Sequence, residues 1–476
     1  MPAGTLTRPL LITLDEGGQS KSLSVRNLGL NRRHRNWEEQ GENFHLANAR
    51  PLACLDVKSE LEATRNGIVL RLKPGGVVGA APLFAPDTRR VVGGIVVRPR
   101  FGWNGIGSIL VKTGWRTRPE VLRLPTVPGS ALQIPPWVLA GPLVERLQRL
   151  LSETRRGFHL RTELRSSPRG QILWARYLAQ QFPHGYPHQL PCKFPDLGPD
   201  ELLRSFLRWG FETVYRSVYR TTAEDPISRE IAAHIRLALT ALTDVPSRRP
   251  ESTLINQFFA RSNNLTPGLR QGLEGLQWIV DERGLAGTAR NDGLSWALPM
   301  HSLFESWTEA VCRAWANGFG GDVRSAIRDQ TTVPLHWFNP VHGSITRLIP
   351  DILVHSASQL FVIDAKYKGL FQGLDQERWR EMAQELQEGH RHDVHQVLAY
   401  ASMFDAPIIS AVLVYPMRFT TWSRLARESR TVVSARILSG KRTLTLSLVG
   451  LPLEWAPEQD FHAICQTLDA LRMDAF

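Results

Sequence analysis

Cysteine is scarce and poorly spaced for chemistry. The 476 residues hold four, Cys54, Cys192, Cys312 and Cys465, with no C-x-x-C pair. That distribution argues against a zinc site and a disulfide framework, and it fits a reducing cytoplasm. No charged-then-apolar leader opens the sequence, and no apolar run approaches the roughly 18 residues of a membrane span, so a membrane association is not expected. The phosphate-cradling string Gly-x-x-x-x-Gly-Lys-Ser/Thr is missing; Ser439-Gly440-Lys441-Arg442 comes nearest and lacks both the first glycine and the hydroxyl residue. The chain is therefore not expected to hydrolyse nucleotides itself. Gly-x-Ser-x-Gly is missing too, which leaves acyl transfer without a nucleophile elbow. Gly102 to Gly107 is glycine-rich but lacks the strand-and-helix context of a dinucleotide site, and it reads as a loop between strands. Repeats and low-complexity tracts are also wanting.

Acidic residues are the minority charge, 45 against 57 lysines and arginines, for a net charge of +12. Arginine supplies most of the excess, which favours a polyanionic partner contacted through bidentate phosphate recognition. The length suits two or three domains, and the texture of the chain suggests three. Residues 1–135 alternate short apolar runs with glycine and proline, such as Val91 to Val97 and Ser108 to Val111, and read as a β-rich domain. Residues 136–290 are mainly helical, with segments at Gly141–Thr154, Asp200–Tyr219 and Ile227–Thr243. Residues 291–476 mix both kinds of pattern, giving a mixed α/β fold class overall. In the β-rich segment Trp37, Trp103, Trp115 and the basic run Arg32, Arg33 and Arg35 present the residue types of a docking surface.

The informative cluster lies in the last region. Ile349 to Val354 and Leu360 to Tyr367 have the composition of two buried strands joined by the short polar segment His355 to Gln359, an antiparallel hairpin. Alternation puts Val362, Asp364 and Lys366 on one face and Phe361, Ile363 and Ala365 on the other. Asp351 joins them from the neighbouring strand. Two carboxylates and an ammonium at one sheet edge suit phosphodiester hydrolysis: carboxylate oxygens hold Mg²⁺, and a lysine orients water or offsets charge that exists only in the transition state. Phe304, Trp307, Val311 and Trp315 recur at helical spacing upstream. Downstream, Arg378–Gln387 and Val394–Phe404 read as helices and Ile408–Tyr415 as a buried strand. His390, His392 and His395 around Asp393 show no established ligand spacing and read as a solvated turn between those helices. Thr431–Leu438 and Leu444–Val449 look like an added hairpin, and Pro457–Met473 like a closing helix.

Pro350-Asp351 followed by Asp364-Ala365-Lys366 resembles the PD-(D/E)XK nuclease motif, whose family core is αβββαβ. The resemblance implies a Mg²⁺-dependent endodeoxyribonuclease, with Mn²⁺ able to substitute, whose metal ligands are Asp351, Asp364 and Glu305. Glu305 is also three residues after Ser302, the spacing of a capping box, so a ligand role and a capping role both stand, with Glu309 the substitute ligand one turn on. Gln396 and Tyr400 resemble the Gln-x-x-x-Tyr pair that related nucleases place beside the site. Leu303-Phe304-Glu305, Ile363 to Lys368 and His395 to Ala401 narrow the resemblance to McrC-type subunits of modification-dependent restriction systems. Arg155 to Phe158, Arg169 to Ile172 and Leu190 to Phe194 are similar to that family's middle region; Arg204 stands where its asparagine is expected. The family implies DNA as substrate and a separate McrB-type AAA+ GTPase or NTPase as motor. Two other roles remain open at this point: a non-cleaving assembly subunit that stimulates the partner, and a transposition-type endonuclease of the same superfamily.

Overall fold

In a computed structural model of the chain, the structure describes residues 10–24, 37–64, 67–128, 135–154, 156–219, 226–261, 266–281, 292–293, 295–339, 341–357, 359–368, 384–439, 442–455 and 460–473. They form two compact units, residues 1–138 with 290–476, and residues 139–289. The texture breaks near residues 136 and 290 fall at the unit edges. The segments outside them, expected to be separate, share one unit.

A shared sheet is the reason. Strands β1 (Leu10–Asp15), β2 (Val77–Phe84) and β3 (Val91–Arg98) associate in the order β1-β3-β2, and β4 (Trp296–Pro299) then pairs antiparallel with β2, setting Trp296 opposite Ala80 and Pro299 opposite Val77. Ala297 enters the core made by Ile12, Leu14, Phe44, Leu55 and Val97. This first segment is less purely β than expected, because Trp37–Cys54 is an 18-residue helix and α1 (Trp103–Lys112) replaces the loop and strand read from Gly102 to Val111. Gly105 explains the misreading: a Cβ there would come within 2.5 Å of the Glu454 backbone, so glycine marks a close helix approach and not a turn.

The second sheet of this unit carries the candidate site. Helix α2 (Met300–Asn317) is followed by β5 (Asp322–Ser325), β6 (Ile352–His355), β7 (Gln359–Ala365), α3 (Gln384–Ser402) and β8 (Ile408–Met417), the order αβββαβ. Strands β5, β6 and β7 are antiparallel neighbours, while β7 and β8 run parallel. The expected terminal hairpin, β9 (Val432–Ser439) and β10 (Arg442–Pro452), does not stand apart: β10 also pairs parallel with β8 and extends the sheet to six strands, β5-β6-β7-β8-β10-β9. Trp315 of α2 packs on Phe361, whereas Gln396 of α3 meets Lys366, so the two helices cover opposite faces. Helix α3 runs unbroken through His390, His392 and His395, which places them on a helix and not in a turn. Of the helix expected over Arg378–Gln387, residues 378–383 lie outside the described residues. The closing helix is divided into Phe461–Gln466 and Ala470–Met473 around a 3-10 turn.

The other unit has helices at Glu201–Tyr219, Pro226–Thr240, Ser252–Arg261 and Pro267–Val280. It also holds an antiparallel sheet, Gln171–Ile172, Leu190–Pro199 and Arg156–Arg165, which the mainly helical reading of this region did not foresee. Arg204, the departure from the family pattern, has its own partner, donating to both Asp244 carboxylate oxygens at 2.5 and 2.7 Å and to the Ala241 carbonyl at 2.8 Å. No helix among the described residues is long and apolar enough to cross a membrane.

Candidate active site

The β6–β7 ladder pairs Ile352 with Ile363, so one residue further Asp351 stands opposite Asp364. Directly opposed like charges are unfavourable on a sheet. The ladder ends there, and Asp351 Oδ2 instead accepts the Ala365 backbone N–H at 2.8 Å, tying the carboxylate to the end of β7. Asp364 is almost wholly buried, 1% exposed. Lys366, just past the strand, donates its backbone N–H to the Val414 carbonyl at 2.8 Å, continuing the β7–β8 ladder, and its ammonium lies 2.6 Å from Asp364 Oδ2.

Helix α2 removes one of the two readings of Glu305, the capping role. The helix starts at Met300 after Pro299, with no side-chain cap, so Ser302 already lies inside the first turn and the capping box is not formed. Glu305 is half-buried; desolvation first and the charge of Asp364 second raise its carboxyl pKa, against the pull of Lys366. It therefore belongs electrostatically to the cluster. Glu309, the substitute, does not: it is 0% exposed and bridged by Arg313 at 2.7 Å, Arg116 at 2.9 Å and Arg328 at 3.1 Å. Burial works against its charge, but the Arg313 and Arg116 guanidinium groups more than compensate and hold its carboxyl below the usual range. Glu305→Gln is expected to reduce DNA cleavage strongly with an unchanged melting temperature. Glu309→Ala should cost about 2–3 kcal/mol of stability, discounted because the arginines stay partly solvated. Thermal melts and cleavage rates of the two variants check the division; a stable Glu309→Ala protein that cannot cut would reverse it.

Helix α3 closes the site from the other face. Lys366 Nζ donates to Gln396 Oε1 at 2.9 Å, and Gln396 Nε2 donates to the Tyr400 hydroxyl at 2.8 Å. The residues foreseen on this helix thus reach Lys366 as a chain of hydrogen bonds. Beside them is a group that the sequence reading passed over: Lys368 Nζ lies 2.6 Å from Asp393 Oδ1, and the Tyr415 hydroxyl donates to Asp393 Oδ2 at 3.3 Å. Burial alone would lower the Lys366 pKa, yet Asp364, aided by Asp351 and Asp393, raises it. Lys366 is therefore a cation at neutral pH.

Two more supporting residues come from the N-terminal segment. Tyr367 donates its hydroxyl proton to Glu16 Oε2 at 2.8 Å, and the Arg100 guanidinium lies over the Tyr367 ring at 4.5 Å. Glu16 is fully buried, and desolvation raises its pKa. No local signal announces it, because its partner is 351 residues away in sequence.

The donor set is chemically suited to a hard divalent cation. Asp364 Oδ2 is buried without a hydrogen bond, its ion-pair partner being Lys366. Desolvation, then Asp364 and Glu305, push the Asp351 carboxyl well above the usual range. Among the described residues no three His, Cys, Asp or Glu side chains form a ready-made metal cage. Asp364 is thus close enough to Asp351 and Glu305 to raise both of them, without the three carboxylates converging on one point. A raised carboxyl pKa means that the folded state binds more protons than the unfolded state, so its contribution to stability grows as pH falls and is lost as pH rises through the folded value. In EDTA the melting temperature of the wild type should therefore rise, relative to Asp351→Asn, between pH 8 and pH 5. Lys366, raised from an already high value, has no effect in that window. Parallel melting curves for the two proteins across the range would refute the coupling.

A model of the family described as McrBC 5-methylcytosine restriction system component matches residues 135–416, more than half of the chain. No curated protein matches it. Among solved structures, a chain in the refined half-complex from a tetradecameric assembly of Thermococcus gammatolerans McrB AAA+ hexamers with bound McrC is 12% identical, covering 97% of this chain and 100% of its own, with a TM-score of 0.43. A chain in the cryo-EM structure of the Thermococcus gammatolerans McrBC complex is 13% identical over 64% of this chain and 88% of its own, with a TM-score of 0.25. The chain belongs to the McrBC family of 5-methylcytosine restriction system components, in keeping with its resemblance to McrC-type subunits.

Proposed function

We propose that this chain is the Mg²⁺-dependent DNA endonuclease subunit of a McrBC-like restriction system, with a PD-(D/E)XK site, and that it cuts together with a separate AAA+ NTPase. One observation carries the reading: Asp364 is buried beside two more carboxylates and a lysine at the end of a sheet. In a non-cleaving scaffold such a concentration of desolvated like charge would be a cost with no return. The missing nucleotide-binding string and the family membership both support a motor on another chain.

Asp351, Asp364 and Glu305 would hold the metal, with Mn²⁺ an acceptable substitute. A bound Mg²⁺ supplies Lewis acidity toward the phosphoryl oxygens. Lys366 serves as a fixed cation: with its pKa raised it is a poor base, and its charge is best used against the negative charge that builds on phosphorus only in the transition state. Gln396, anchored by Tyr400, aims the ammonium. The Tyr367–Glu16 bond fixes the backbone next to it. Lys366→Ala is accordingly expected to bind DNA like the wild type but to turn over about 10²–10³-fold more slowly. Single-turnover cleavage measured beside a binding titration checks this, and an unchanged rate would reduce Lys366 to a surface charge.

For the partner contact, the sequence pointed to the N-terminal segment. Arg32, Arg33 and Arg35, and the side chain of Trp37, lie outside the described residues, and Trp103 is packed against Trp137 and Trp296. Among the described residues the other unit exposes the large apolar side chains Leu160, Trp174, Leu178, Phe182 and Tyr186, and that stretch is a second candidate for motor coupling beside the N-terminal segment.

A further inference from the structure

Between β5 and β6 the chain leaves the sheet as a small hairpin. Val333 pairs with Leu348 and Pro334 with Arg347, and Leu335 donates its N–H to the Thr346 carbonyl at 2.8 Å. Its tip exposes an unusual set of side chains: Trp337 is 53% exposed, Phe338 102%, Val341 76% and Ile345 61%. The described residues around the tip are nevertheless tied to one another. The Trp337 indole N–H donates to the Ile345 carbonyl at 2.5 Å, the Ser344 hydroxyl donates to the Val341 carbonyl at 2.7 Å, and Gly343 takes the left-handed φ of +88° that the turn requires. An aromatic pair held in water by a structured turn is preorganised to receive something.

Charge and position identify what it receives. From Gln330 to Pro350 the sequence contains no aspartate or glutamate, while Arg347, His336 and His342 are exposed, so the hairpin offers an anionic partner aromatic faces with no repulsive charge. Its base is also the base of the candidate active site: Thr331 donates to the Pro350 carbonyl at 2.5 Å, and the next residue is Asp351. Ile345, whose carbonyl accepts the Trp337 indole N–H, is six residues from Asp351, so the Trp337 ring is held at a point within about 20 Å of that residue along the chain. At about 3.4 Å per nucleotide, that reach corresponds to some six nucleotides. Aromatic side chains beside a backbone-binding site stack on bases, whose π faces all sequences share, or wedge between them.

We propose that the Val333–Leu348 hairpin is a base-stacking element for DNA, in which Trp337 and Phe338 take nucleobases within about six nucleotides of the scissile phosphate. The proposal rests on the nuclease reading above and adds a contact to bases that the carboxylate cluster does not supply. Stacking is sequence-tolerant, so the hairpin grips and locally unstacks the strand without reading its sequence.

The test uses the full-length protein with Ca²⁺ in place of Mg²⁺, and 30-base-pair duplexes carrying 2-aminopurine at successive positions. Wild type should change the probe's fluorescence at one or two positions. Trp337→Ala/Phe338→Ala should abolish that change and weaken binding about 5- to 150-fold for each stacked base lost, with an unaltered salt slope because no phosphate contact is removed. Trp337→Phe/Phe338→Tyr should restore both. Phe338→Ala alone removes a fully solvated ring and should give the partial effect, so a folding defect of the double variant leaves the result readable. Unchanged affinity and fluorescence in the alanine variants would overturn the proposal. So would unchanged DNA binding combined with lost co-elution with the partner NTPase or an altered oligomeric state, because the hairpin would then dock a protein. The wild type's own binding separates the two layers: alanine variants that match a wild type able to bind duplex overturn the hairpin alone, whereas a wild type that binds no duplex at low salt would remove the nuclease reading and the hairpin's role together.

Discussion

Asp364→Asn is expected to leave folding and DNA binding intact while slowing cleavage by at least about 10²–10³-fold, the cost of removing one preorganised electrostatic contact to the reacting centre. Shape explains the first half. Asparagine is nearly isosteric with aspartate, and every residue of β7 is buried in a sheet whose registers to β6 and β8 do not involve this carboxylate. Charge explains the second. The substitution removes an anion that raises the pKa of both Asp351 and Glu305, so the metal-free variant should melt no lower than the wild type. Lys366 loses its 2.6 Å partner but keeps Gln396. Single-turnover assays with Mg²⁺ and melts in EDTA measure both halves, and a variant that cuts at the wild-type rate would remove Asp364 from the mechanism.

A chain beginning at Trp137 should fail to fold the region that carries the candidate site at all. The separable-domain view of the first 135 residues anticipates a stable fragment that merely loses its partner. The structure predicts otherwise, because truncation removes both neighbours of β4, the Gly76 carbonyl that accepts the Met300 N–H at the start of α2, and Arg116 from Glu309. Glu16 would leave Tyr367, and Trp296, fully buried in the intact chain, would lose its cover. Each fully buried large apolar side chain is worth about 1.5–3 kcal/mol or more, so several such losses match the roughly 5–15 kcal/mol of a whole domain. The fragment should aggregate or melt without cooperativity; a soluble fragment with a native near-ultraviolet spectrum would show that the two segments fold independently.

How far the sequence reaches is visible in these same residues. The β6–β7 hairpin, the shared face of Asp364 and Lys366, and the helix bearing Gln396 were legible because period-two and period-3.6 patterns are local and long enough to be read. The αβββαβ order was implied by the resemblance; the local signals alone gave a helix, the hairpin, a helix and a strand, and β5, only four residues long, carried no pattern to read. Glu16 and Arg100 were not legible, since their contacts span the chain and neither sits in a motif. The pairing of β10 with β8 was hidden because a strand that borders both a parallel and an antiparallel neighbour has the same alternation as a simple hairpin strand. Glu305 and Glu309 show the limit most sharply: both lie one turn apart on α2, and only the position of the helix start and the three arginines around Glu309 separate their roles.

The central claim is that Asp351, Asp364 and Glu305 together hold a catalytic divalent cation. Mn²⁺ titration of the full-length protein, followed by electron paramagnetic resonance with and without duplex DNA, tests it without relying on turnover. The account predicts saturable Mn²⁺ binding by the wild type and affinities at least about tenfold weaker for Asp364→Asn and Glu305→Gln. Superimposable titrations for all three proteins would contradict it.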